Sequence, residues 1–83
     1  MEDSDELRRL LGEKTAEAEQ AYSELYDARD AITRIACYSG AKEYFVAAIV
    51  IAGRLGLIDV QQQLEARLAN IRGVFRSQFA DFS

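Results

Sequence analysis

The sequence has no histidine, no proline, no tryptophan and a single cysteine, Cys37. Without histidine there is no imidazole base and no hydrolytic triad of the usual kind. The Glu-x-x-His pattern of carboxylate-bridged metal sites in bundles cannot be written either. One cysteine closes no internal disulfide and builds no multi-thiolate zinc site within the chain. It fits a reducing compartment, and a cytoplasmic location is expected. Cys37 has no base to activate it and reads as a small packed residue. Long apolar runs are scarce too. The longest, Tyr44 to Ala52, is nine residues, against about 20 for a bilayer span. Lys42, Glu43 and Arg54 flank it, so no membrane partner is expected. The N-terminus is acidic, unlike a signal peptide. Gly53, Gly56 and Gly73 do not make a phosphate loop. The expectation is a protein that is not an enzyme and carries no cofactor or metal.

What is present is ordinary for a folded soluble chain: 49 % apolar and 29 % charged residues, which excludes disorder by composition. A chain of 83 residues makes one domain, residues 1–83. At this size roughly 60 % of the unfolded surface is buried, and association is a usual remedy for marginal stability. The charge is uneven. Residues 1–38 carry ten acids and five bases, and residues 39–83 four acids and five bases, so −5 and +1 give the net −4. An acidic helix repels a nucleic-acid backbone and suits a basic protein surface.

The strongest pattern is a seven-residue repeat. Leu7, Leu11, Lys14, Ala18, Ala21, Leu25, Ala28, Ile32 and Ile35 follow at alternating spacings of 4 and 3. Such a stripe asks for another helix beside it. Asp3 with Glu6 reads as a helix start, and Gly12 as a soft point or bend. The pattern predicts one long helix over about 4–38. At about 1.5 Å per residue it would be about 50 Å long and would overhang its own core.

Ser39-Gly40 is the first clear turn signal. A second helix is expected over about 41–55, apolar on every side. Gly56 suits a left-handed helix end with Leu57 folding back. Asp59 then caps a third helix, about 60–80, with Val60, Leu64, Leu68, Ile71, Phe75, Phe79 and Phe82 on one face. The fold class is all-α: a long N-terminal helix followed by a two-helix antiparallel hairpin, in a helical bundle formed as a homodimer. Its seam would run along Leu7, Leu11, Ala18, Ala21, Leu25, Ala28 and Ile32.

Tyr22 and Tyr26 lie one turn apart at the edge of the stripe, with Arg29 close by. Tyrosine offers apolar area and a hydroxyl together, which suits contact surfaces. Glu17 and Glu24 add an acidic face that would dock on a basic partner. Arg67, Arg72 and Arg76 give the third helix a basic edge that would pair with the acidic first helix within the dimer. The functional expectation is a non-catalytic protein-binding module, an adaptor or inhibitor occluding a surface of a larger protein. In size and charge it is similar to small acidic proteins with which phages block host machinery, and no motif carries that likeness. Two alternatives stay open: a small-ligand or nucleotide binder with a pocket at the dimer seam, lined by Tyr22, Tyr26, Arg29 and an arginine of the third helix, and a nucleic-acid-associated regulator.

Overall fold

The computed structural model describes residues 4–78. Within that span the chain is all-helical, with three helices: α1 (Ser4–Asp27), α2 (Ala31–Arg54) and α3 (Ile58–Gln78). Asp3, Phe79 and Phe82, assigned roles from the sequence, lie outside the described residues.

The first helix is shorter than its repeat suggests. It ends at Asp27 rather than near residue 38, and the chain turns back at 28–30. Asp30 sets the break: its backbone is extended (φ −127°, ψ 162°) and its carboxylate accepts the Thr33 N–H at 2.7 Å. That is an N-cap, which satisfies one of the orphan donors of the next helix. Ser39 and Gly40, read from the sequence as a turn, sit inside α2. A single glycine weakens a helix by only about 1 kcal/mol. Packing of the residues that follow it, Ala41, Phe45, Ala48 and Ala52, outweighs that cost.

The cap contact with Thr33 holds the Asp30 carboxyl below its ordinary pKa. A depressed folded value means that the cap contributes fully above the unfolded pKa of about 4, and that this contribution disappears as pH falls through the folded value. Asp30→Ala should therefore lower the melting temperature by several degrees at neutral pH, with the difference from wild type shrinking in acid. Asp30→Asn should keep most of the cap while flattening this part of the pH profile. Circular dichroism melts at a series of pH values read both effects.

α1 passes through Gly12 without a break, and a Cβ built there meets no atom within 4 Å. Gly12→Ala should thus stabilise the chain by about 1 kcal/mol, raising the melting temperature by roughly 4–8 °C. A lowered melting temperature would mean that α1 bends at this residue.

The α2–α3 connection closes with a Schellman motif. Leu57 N–H bonds Ala52 C=O at 2.9 Å, Gly56 N–H bonds Gly53 C=O at 3.1 Å, and Gly56 takes φ +74°. Leu57 folds back onto the core. Its carbonyl accepts the Gln61 N–H at 2.9 Å, so α3 begins at Ile58 rather than near residue 60. Asp59 falls in the first turn, where it complements the helix dipole instead of capping.

Both connections are three residues long, so neighbouring helices run in opposite directions. α2 packs along α1 on one side and along α3 on the other. The core joins Ala18 of α1, Phe45, Ala48 and Ala52 of α2, and Leu64, Leu68 and Ile71 of α3. Alanine at four of the buried positions, Ala18, Ala41, Ala48 and Ala52, lets the helix backbones approach closely. α1 and α2 have 24 residues each, or about 36 Å apiece, so α1 is covered by α2 and the overhang expected from a 4–38 helix does not arise. The Cα trace is a rod, 48 × 18 × 15 Å with a radius of gyration of 13.9 Å, longer than the about 12 Å of a rounded domain of this length.

Starting α2 at Ala31 also gathers its apolar residues into one 24-residue helix. Its most apolar window has a mean hydropathy of 1.4, and 22 % of that window is buried. By length and composition α2 could cross a membrane, a test that core helices of soluble proteins also pass. The face turned away from α1 and α3 carries Ile32, Ile35, Val46 and Val50, exposed by 82, 51, 46 and 51 %.

Candidate interaction surface

Glu19, Tyr22 and Tyr26 follow at spacings of three and four, which places them on one flank of α1. The two rings meet edge to face, 5.4 Å between centroids at 79°, and their hydroxyls are 2.9 Å apart. Arg67 reaches this flank from α3. Its Nε donates to Glu19 Oε2 at 3.0 Å and its Nη2 to Oε1 at 2.9 Å, a fork-to-carboxylate pair. The same guanidinium lies over the Tyr22 ring, 5.0 Å from its centroid.

The four side chains thus hold one another in place. Tyr22 packs on the core, while Tyr26 is 51 % exposed. Burial raises the Tyr22 phenol above its ordinary pKa, the Tyr26 hydroxyl adds to the rise, and Arg67 opposes it. Such a phenol is a poor base near neutrality. The Arg67 guanidinium is held firmly protonated, chiefly by its hydrogen bonds to Glu19. The assembly can present an ordered aromatic ring, two hydroxyls and a fixed cation–anion pair to another surface.

Glu17 and Glu24 do not join the tyrosines. With Gln20, Ala21 and Tyr44 they line an open groove of about 280 Å³ on the opposite flank of α1. Lys14 stands 3.8 Å from Glu17 and 5.4 Å from the Tyr44 ring centroid, and Gln20 donates to Glu24 at 3.3 Å. Arg29 is exposed in the turn after α1. Of the positions assigned to a dimer seam, Ala18 and Leu25 are fully buried within the single chain. Leu11 packs against the same core, Leu7, Ala21 and Ala28 are half-buried, and Ile32 stands on the open face of α2.

Glu19 completes the cluster and is not marked by the sequence reading, while Arg67 is the third-helix arginine that meets the tyrosines, within one chain rather than at a dimer seam. The spacing of Glu19 to Tyr22 and Tyr26 was a usable signal, whereas the arrival of Arg67 needs the fold. Arg67 pairs with the acidic helix of its own chain. A second aromatic contact joins α2 to α3: Tyr38 and Phe75 stack at 4.0 Å and 9°, with the Lys42 ammonium 5.1 Å from the Tyr38 centroid. Comparisons with protein-family models, with curated proteins and with solved structures give no match.

Proposed function

We propose that this chain acts by contact, as a small non-catalytic module that binds a larger protein and occludes a surface of it, in the manner of an adaptor or inhibitor. In this reading the working form is a homodimer. The observation that carries the contact reading is the Glu19–Tyr22–Tyr26–Arg67 cluster, ordered in advance and open on one side. Prior ordering matters because each rotamer-rich side chain fixed on binding costs about 0.5–1.5 kcal/mol. Tyrosine and arginine are also the residue types that most often dominate binding energy at interfaces. The acidic N-terminal half favours a basic partner surface.

The test is differential capture. Immobilised wild-type chain, Tyr26→Ala and Arg67→Ala are offered the same cell extract, and retained proteins are identified by mass spectrometry. A stoichiometric partner held by the wild type should be lost, or bound at least ten times more weakly, by Tyr26→Ala. Because Tyr26 is half exposed, the variant should melt within a few degrees of the wild type. A partner retained equally by all three proteins would remove this cluster from the binding surface.

A further inference from the structure

The two flanks of α1 carry the same pairing of carboxylate and ring, closed by an arginine on one side and open on the other. On the closed side Glu19 and Tyr22 hold the Arg67 guanidinium, with hydrogen bonds of 3.0 and 2.9 Å and 5.0 Å to the ring centroid. On the open side Glu17 of α1 and Tyr44 of α2 line the groove of about 280 Å³, together with Gln20, Ala21 and Glu24. We infer that this groove receives one arginine side chain of a partner protein. The inference rests on the contact reading above and names the group that the acidic half of the chain takes.

Lys14 shows that the groove draws a cation and that an ammonium suits it poorly. Its Nζ stands 3.8 Å from Glu17 and 5.4 Å from the Tyr44 centroid, longer on both counts than Arg67 achieves on the other flank. A guanidinium is planar, donates in a fixed fork and is less strongly hydrated than an ammonium. It can therefore lie on a ring and grip a carboxylate at once, and Arg67 does both within this same fold.

Shape agrees with a single side chain. Glu17 and Glu24 are two turns apart, about 10.5 Å along the axis, and Ala21 between them offers only a methyl group. The stem of a long side chain can lie there with a carboxylate on either hand. Glu24 accepts only the long 3.3 Å bond from Gln20, so both carboxylates keep acceptor capacity for a guanidinium. Small-molecule sites run from about 300 to 1,000 Å³ and enclose most of their ligand, whereas this groove is smaller and open. Two carboxylates are too few to cage a metal ion, and no group of three or more metal-ligating side chains gathers among the described residues. The surrounding charge acts in the same direction. Residues 1–38 carry ten acids against five bases, which brings a basic surface toward α1 before any side chain is seated.

Nuclear magnetic resonance tests this without knowledge of the partner. The blocked peptide acetyl-Gly-Gly-Arg-Gly-Gly-amide is titrated into the isotope-labelled full chain at low salt. Amides of Glu17, Gln20, Ala21, Glu24 and Tyr44 should shift and saturate, with the millimolar-range dissociation constant of a single exposed contact. A peptide with citrulline in place of arginine should shift nothing, and one with lysine should bind about threefold more weakly or worse. Glu17→Gln should weaken binding by about fivefold or more with unchanged melting, because the Glu17 side chain is 41 % exposed. Tyr44→Leu should weaken it similarly, while Tyr44→Phe, which keeps a ring, should not. Lys14→Gln, which removes the competing cation, should tighten binding by about twofold or more.

No saturable shift, an equal response to lysine and arginine, or shifts spread over every acidic residue of α1 would overturn the inference. So would unchanged binding by Lys14→Gln, because a cation seated in the groove must compete. The titration needs no partner protein, so its failure leaves Tyr26-dependent capture standing. A titration that succeeds while capture is indifferent to Tyr26→Ala would support the groove and overturn the tyrosine cluster as the contact surface.

Discussion

Phe45→Ala should lower the melting temperature by about 20 °C or more and leave a measurable unfolded fraction at 37 °C. Phe45 is fully buried, and its cluster includes Ala18, Ala48 and Ala52, which are too small to fill the space a lost ring would leave. Truncating a buried phenylalanine costs about 3–5 kcal/mol, part of it transfer and part of it the residual cavity. A domain of this length holds only about 4–12 kcal/mol in total, and each kcal/mol moves the midpoint by roughly 4–8 °C. Phe45→Leu, which keeps most of the volume, should cost much less. Thermal and urea melts followed by circular dichroism distinguish the two. A Phe45→Ala chain melting within a few degrees of wild type would mean that the three helices do not meet at this ring.

Leu25→Asp should unfold the chain, while Ile32→Asp should leave the melting of the dilute protein nearly unchanged. Both residues belong to the same seven-residue repeat, so a single long helix would treat them alike. In the structure Leu25 is fully buried near the end of α1, and a carboxylate there would lose its water without gaining a partner, costing several kcal/mol. Ile32 is 82 % exposed and is the second residue of α2. An aspartate at that position meets the positive end of the helix dipole, and its effect should stay within about 0.5 kcal/mol. Equal damage from the two substitutions would restore the continuous helix.

The all-helical character was legible because 3.6-residue periodicity needs no knowledge of the partner surface. The Gly56 reversal was legible for a similar reason, since a left-handed residue followed by an apolar one is a local signature. The first turn was not. Ala28, Arg29 and Asp30 include neither glycine nor proline, and the apolar repeat runs across them without a fault. The only mark is an aspartate three residues before a threonine, Asp30 and Thr33, and a weak cap signal competes badly with the conspicuous Ser39-Gly40 pair. The decision between these two breaks is tertiary: turning at residue 30 matches α1 and α2 in length and sets Ala18 and Phe45 in one core. The same shift explains the candidate surface. The Tyr22–Tyr26 pair could be read along one helix, but Glu19 receives Arg67 across 48 positions of sequence, and no local pattern announces that meeting.

The position of α2 between its two neighbours also orders how the molecule can come apart. α1 and α3 each lie along α2, so either can detach while the other pair remains joined. α2 cannot leave without releasing both. Local opening should therefore begin at the outer helices, with the Arg67–Glu19 link resisting their separation, and the amides of α2 around Phe45 and Ala48 should be the last to exchange with solvent. A partner that grips the outer helices would consequently restrain the least stable parts of the fold, while one seated on α2 would rest on its most persistent element.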